Sequence, residues 1–133
     1  MLKVKKLSFI REVQILLVKA ERKLEHAQRA YNVGDYDSAL GDSYRCVELC
    51  IRALLLSHGI IKIPKTHGGI LQLFSKELVL KGGFPRELAK EIGLLASQRA
   101  KADYSPLFVD EEEATNALEI ASKTLETTKK IIR

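Results

Sequence analysis

The sequence predicts an all-α protein, an up-down bundle of four or five helices without a β-sheet. Apolar residues recur at spacings of three and four through long segments, and no segment shows sustained alternation of apolar and polar residues. Glycine and proline fall mainly between these segments, where they end one helix and begin the next. The chain has 133 residues, 46% hydrophobic and 29% charged, so one globular domain is expected over residues 1–133.

The first two helices are predicted from their apolar stripes and their ends. The first covers about 8–32 and ends where Gly34 can adopt a positive φ. The second covers about 37–58, with Asp35 or Asp37 as its cap. It is apolar almost all round, which indicates a helix that is central in the bundle or buried on one side by a partner chain.

The next two helices are bounded by caps and prolines. The third is predicted over about 66–80, with Thr66 as its N-cap. The fourth opens at Phe84-Pro85, because proline suits a first helical turn. It continues to about Asp103 and stops before Pro106, which disfavours α geometry in the residue that precedes it.

The fifth helix is predicted to open at Asp110. Asp110 and Glu113 have the spacing of a capping box, and Glu111 and Glu112 suit the positive end of the helix dipole. Together with the four helices before it, this segment completes the predicted bundle.

Composition limits the classes of function. The net charge of +5 is compatible with an acidic partner such as RNA or a nucleotide. The apolar runs are too short to cross a bilayer and no signal peptide is recognised, so a cytoplasmic protein without a membrane partner is expected. Cys46 and Cys50 lie one helical turn apart and are expected to be reduced core residues. The histidines are scattered and form no closed ligand set, so no metal and no cofactor are expected.

Arg99 is the most informative residue. On an ideal helix it falls in the middle of the apolar stripe of the fourth helix, which also contains Leu88, Ile92, Leu95 and Ala102. An unpaired guanidinium is costly to bury, so Arg99 must meet an acid, a polar cleft or an anionic ligand. Asp103 on the same helix and Glu48 or Asp42 on the second helix are the acids considered.

The end of the fourth helix gathers groups that suit a phosphate. Arg99, Lys101, Asp103 and Tyr104 supply cationic, acidic and phenolic side chains within a few residues. On an ideal helix Tyr104 points about 140° away from Arg99. The two are therefore expected to converge only if the helix unwinds or a second chain supplies one of them.

Two further segments remain open to more than one interpretation. Glu48 and Arg52 form an i,i+4 pair near Arg45, which is either a solvated edge or a part of the Arg99 cleft. His67 follows Thr66 in a segment that lacks the P-loop spacing. His67 is a candidate acid, base or RNA contact at a helix start.

The order and spacing of several segments carry a family resemblance. They are the run Tyr44-Arg-Cys-Val-Glu48-Leu-Cys-Ile-Arg52, then Gly59, then Lys65-Thr66-His67, and finally Arg99-Ala-Lys-Ala-Asp103-Tyr104. Over about 8–130 the chain resembles the HEPN (higher eukaryotes and prokaryotes nucleotide-binding) domain family, in particular its small stand-alone prokaryotic and archaeal members.

The resemblance implies a helical homodimer with a functional cleft. In the family, an arginine followed four to six residues later by a histidine marks metal-independent ribonucleases, and Arg99 matches that arginine. Glu48 matches the acidic residue of the second helix, while Tyr104 stands in the histidine position. Other members pair with a minimal nucleotidyltransferase, as in toxin–antitoxin couples, and this enzyme can adenylylate a tyrosine near the motif. Tyr104 is the corresponding modification candidate.

Three functions follow as hypotheses. The first is a dimeric module that binds a nucleotide or RNA phosphate through Arg99, Lys101, Asp103, Glu48 and Arg52, and that partners a minimal nucleotidyltransferase. The second is a metal-independent endoribonuclease toxin with Arg99 and Tyr104 as candidate catalytic residues, Tyr104 or His67 moving the protons. The third is a purely structural helical interaction module.

Overall fold

A computed structural model describes the backbone of residues 2–132 and the side chains of residues 9–132. Within these residues the chain forms five α-helices, and the predicted all-α bundle is confirmed because the same residues contain no strand. The helices are α1 (Leu2–Asn32), α2 (Tyr36–Ser57), α3 (His67–Phe74), α4 (Arg86–Tyr104) and α5 (Glu111–Ile132), with a π-helical turn (Ser75–Val79) after α3.

The helix boundaries follow local signals. Gly34 ends α1 with a φ of 80°, and Asp35, one of the two predicted caps, accepts a hydrogen bond from the Ser38 backbone N–H. The other predicted cap, Asp37, instead accepts a hydrogen bond from the Val109 backbone N–H at 3.3 Å, which ties the α4–α5 loop to α2. α1 begins at Leu2, earlier than predicted, because the lysine-rich residues before Ser8 have good helix propensity.

The central helix is α2, as its apolar composition predicts. It packs most extensively against α1 and α5, and it also contacts α3 and α4. Each fully buried leucine or isoleucine side chain contributes roughly 2 kcal/mol through the area it removes from water. The largest of these on α2 are Leu40, Ile51, Leu54 and Leu55. Packing of α2 against its neighbours therefore holds the side chains of this helix in fixed positions.

The ends of α3, α4 and α5 also follow local signals. The Thr66 hydroxyl caps α3 by accepting from the Gly69 backbone N–H at 3.1 Å, as predicted. α4 begins after Pro85 and ends at Tyr104, and the extended backbone of Ser105 precedes Pro106. The predicted capping box of α5 is present, since Asp110 and Glu113 exchange hydrogen bonds of 2.8 and 3.2 Å between side chain and backbone.

None of the helices in the described part of the chain combines the length and the apolar character that a membrane crossing requires.

Candidate functional site

An open cleft of about 430 Å³ lies where α2, the start of α3 and the second half of α4 meet. Its lining includes Tyr44, His67, Leu71, Arg99, Asp103 and Tyr104. Two other cavities of about 440 Å³ are lined mainly by apolar and glycine residues, and neither collects several charged groups. The chemistry of the side chains therefore identifies the cleft between α2, α3 and α4 as the candidate site.

Arg99 lies at the edge of the core with its side chain 31% exposed. Its guanidinium carbon stands 5.1 Å from the centroid of the Tyr44 ring, and its Nη1 lies 3.5 Å from the Asp103 carboxylate. Of the acids considered from the sequence, Asp103 is thus the one that pairs with Arg99. Asp42 instead lies 4.0 Å from Lys23, on the side of α2 that faces α1. The cation is held by an aromatic face and one weak ion pair.

Tyr44 is buried beneath Arg99, with 2% of its surface exposed. Burial raises the pKa of Tyr44, the Glu48 charge raises it further, and the Arg99 charge opposes both effects. The phenol therefore stays neutral at physiological pH. Tyr44 also contacts the His67 ring edge-on, with the two ring centroids 5.6 Å apart. One ring thus supports both Arg99 and His67.

Glu48 is a buried carboxylate, 3% exposed, one helical turn after Tyr44. It accepts a hydrogen bond from Arg45 Nη1 at 2.5 Å, contacts His67 Nδ1 at hydrogen-bonding distance, and lies 3.9 Å from Arg52 Nε. Glu48 is therefore not part of a solvated edge. It orients His67 rather than Arg99.

His67 is the first residue of α3, a position fixed by the Thr66 cap. Its side chain is 54% exposed and lines the cleft. A carboxylate can only accept hydrogen bonds, so Nδ1 carries the proton in the contact with Glu48. Nε2 is then the proton-accepting nitrogen when the ring is neutral.

Tyr104 and Arg99 line the same cleft although α4 remains helical to Tyr104. Both residues therefore reach the lining without unwinding of the helix, whereas the expected convergence of the two side chains stays a prediction. Tyr104 is 91% exposed. Lys101 instead lines a different cavity of about 310 Å³, with Gln98 and Glu113. Arg52 reaches Glu48 and does not line the cleft.

Two contacts of this site were not predicted. Tyr44 fits the apolar pattern of α2, and an aromatic residue at helical spacing has the same pattern whether or not it supports a cation. The contact of Glu48 with His67 joins residues 19 positions apart across a loop. Helical periodicity carries no information across such a loop.

The chemistry of the site suits an anion. The Arg99 guanidinium presents N–H donors to the cleft, and Tyr104 adds an exposed phenol at its mouth. Among the residues whose side chains the structure describes, no group of three or more His, Cys, Asp or Glu is arranged to hold a metal ion. Phosphate is the biological anion that such nitrogen and hydroxyl donors commonly bind.

Comparisons with known proteins agree with this fold. The sequence model described as HEPN domain matches residues 13–132. A candidate toxin of Methanocaldococcus jannaschii is 35% identical over 132 residues, which cover 98% of this chain and 88% of that protein. A crystal structure of a Thermus thermophilus protein superposes with a TM-score of 0.74 at 23% identity, covering 90% of this chain and 97% of the other. An archaeal HEPN homologue superposes with a TM-score of 0.70 at 24% identity, covering 91% and 98%. The two structural likenesses concern the fold alone.

Proposed function

Because this chain belongs to the HEPN domain family, we propose that it is a toxin-like HEPN module that binds a nucleotide or RNA phosphate in the cleft between α2, α3 and α4. The observation that carries the proposal is the placement of Arg99, held over the Tyr44 ring and open to the cleft. A guanidinium held over a ring by its charge still has N–H donors available for a phosphate.

The Arg99–Asp103 ion pair leaves room for such a ligand. Asp103 is 54% exposed and the pair is separated by 3.5 Å, so it is an i,i+4 surface pair worth about 0.3–0.5 kcal/mol. A charge-assisted hydrogen bond to a phosphate contributes about 1.5–3 kcal/mol. The ligand therefore outcompetes the carboxylate, which turns towards solvent when the phosphate binds.

Arg99→Ala tests the phosphate site directly. We expect it to weaken binding of a fluorescently labelled single-stranded RNA by about tenfold or more, since it removes a charge-assisted contact of the size just given. Lys90→Ala is the matched control, because Lys90 is an exposed cation on the same helix, 3.7 Å from Glu87 and outside the lining of the cleft. Equal losses in the two variants, measured by fluorescence anisotropy at one salt concentration, would show nonspecific charge attraction instead of a site.

The proposal includes a homodimer. The cleft opens beside a surface on which Tyr104, Leu107 and Phe108 are all exposed, Phe108 to 90%. Exposed apolar side chains grouped in this way are typical of protein interfaces. Sedimentation should therefore give the mass of two 14.9 kDa chains. Phe108→Glu should shift the distribution to the monomer, and a monomeric wild-type protein at micromolar concentration would contradict this part.

The proposed protein partner is a minimal nucleotidyltransferase, and the proposed location of the pair is the cytoplasm. Tyr104 is the expected acceptor because its phenol is exposed at the mouth of the cleft. Mixing this protein with a nucleotidyltransferase encoded beside it should give a complex on size exclusion. With ATP, the mass of the wild type should increase by one adenylyl group and that of Tyr104→Phe should not. Absence of a complex would remove this partner and leave the phosphate site untouched.

A further inference from the structure

His67 has the surroundings of an acid–base group in the proposed phosphate cleft. We propose that His67, oriented by Glu48, acts as a general base that lets this cleft cleave RNA. The inference rests on the proposed phosphate site, because the scissile phosphate is the group that Arg99 holds. It assigns the proton transfer to a residue of α3, whereas the position that the family resemblance points to is Tyr104.

His67 has the geometry of a base that is oriented by a carboxylate. Glu48 belongs to the buried face of the central helix, so its carboxylate does not move freely. It holds His67 through Nδ1 and so fixes both the ring orientation and the tautomer. A base whose second nitrogen is held by a carboxylate is a recurring arrangement in proton-transfer catalysis.

A purely structural role accounts poorly for His67. Glu48 already has Arg45 at 2.5 Å and Arg52 at 3.9 Å, so its charge is compensated without the imidazole. The start of α3 is capped by Thr66 and does not require a histidine after it. More than half of the His67 side chain is exposed, so its burial contributes little to the stability of the core.

His67 and Arg99 are placed for one ribose-phosphate unit. The Arg99 guanidinium and the His67 ring contact the same Tyr44 ring, and both line the cleft. A phosphate on Arg99 thus brings the 2′-hydroxyl of its ribose towards His67. A phenol is in general a poor base at neutral pH, whereas imidazole is the side chain most often used to transfer protons near neutrality.

The proposed step is a transesterification. Nε2 of neutral His67 accepts the proton of the 2′-hydroxyl, and the 2′-oxygen forms a bond to the adjacent phosphorus. The bond from phosphorus to the 5′-oxygen breaks, and that oxygen takes a proton from water while the imidazolium returns its proton to the solvent. The products are a 2′,3′-cyclic phosphate and a 5′-hydroxyl. Arg99 stabilises the negative charge that develops on the phosphoryl oxygens.

The first test follows cleavage of an end-labelled single-stranded RNA by wild type, His67→Gln and His26→Gln. His26 is the matched control because it is an exposed histidine on α1, away from the cleft. We expect cleavage with 2′,3′-cyclic phosphate ends by the wild type and by His26→Gln. His67→Gln should be slower by about 10²-fold or more, the size of a general-base contribution, and this loss should be larger than any change in its RNA affinity.

Chemical rescue separates a proton-transfer role from a structural one. The His67→Ala variant leaves a space that is open to solvent, so added imidazole should restore a measurable part of the cleavage rate. Glu48→Gln tests the positioning residue: it should lower kcat and have a smaller effect on KM. If Glu48→Gln does not fold, the rescue experiment alone decides the assignment.

The outcomes distinguish this inference from the proposed function. Wild type that binds RNA but does not cleave it overturns the inference and leaves the phosphate site intact. Undiminished cleavage by His67→Gln, or no rescue of His67→Ala by imidazole, also overturns it. Wild type that fails to bind either RNA or nucleotide removes the phosphate site, and the inference falls with it.

Discussion

Replacing Tyr44 tests whether the aromatic ring holds Arg99 ready for a phosphate. The guanidinium carbon lies 5.1 Å from the ring centroid, within the range of a cation–π contact. Such contacts contribute about 0.5–1 kcal/mol at exposed sites and about 2 kcal/mol when desolvated. Arg99 is 31% exposed and the ring below it is buried, so a value of about 1 kcal/mol is appropriate.

Two substitutions separate the ring from its hydroxyl. Tyr44→Phe keeps the ring face and should leave RNA affinity within about twofold of wild type. Tyr44→Leu removes the face, so Arg99 must be ordered by the ligand itself, and affinity should fall about fivefold. Fluorescence anisotropy with the same labelled RNA measures both, and circular dichroism confirms that each variant is folded at the assay temperature.

The pattern of the two losses decides the interpretation. Equal weakening in Tyr44→Phe and Tyr44→Leu would assign the effect to the hydroxyl and refute the cation–π argument. Unchanged affinity in both would show that Tyr44 does not prepare Arg99 for the ligand. The double variant Tyr44→Leu/Arg99→Ala should bind no more weakly than Arg99→Ala, because the ring acts through the cation.

Three further predictions concern stability and reactivity. Burial, together with the Glu48 charge, raises the pKa of Tyr44. The stability that the neutral phenol contributes is therefore present below a pH of about 10 and is lost as the pH rises towards the folded-state pKa. Tyr44→Phe should show a smaller decrease in Tm at alkaline pH than the wild type. The hydrogen bond to Cys50 and burial raise the pKa of Cys46, and both thiols are fully buried, so neither should react with a maleimide at neutral pH until denaturant is added. Leu54→Ala removes a fully buried side chain of α2 and should lower the free energy of unfolding by about 2–5 kcal/mol in urea titrations.

The helices were predictable because their signals are local. The reciprocal hydrogen bonds of Asp110 and Glu113 depend only on residues three apart, and the Thr66 cap depends on the Gly69 N–H in the same turn. The start of α1 was missed for the complementary reason. No capping residue or proline marks its N-terminus. The lysines before Ser8 favour a helix but give no signal for its first residue.

The site was predictable only where a residue conflicts with its surroundings. Arg99 was recognisable because a cation in an apolar stripe needs an explanation. Its support by Tyr44 was not, because the distance between α2 and α4 depends on the packing of the whole bundle. The contact of Glu48 with His67 also depends on the path of the loop between α2 and α3, which brings the start of α3 back beside α2.

The arrangement along α2 links the core of the bundle to the chemistry of the cleft. Tyr44 and Glu48 lie one turn apart on the edge of a helix whose remaining faces are almost wholly buried. Their positions are therefore set by the same packing that stabilises the fold, and they in turn position Arg99 and His67, which come from helices that contact α2 less extensively. The two groups proposed to meet the ligand are therefore held at the spacing that the Tyr44 ring and the Glu48 carboxylate set. A ligand that needs both groups must therefore fit a spacing set by the Tyr44 ring, and this favours a ribose-phosphate unit over an isolated phosphate ion.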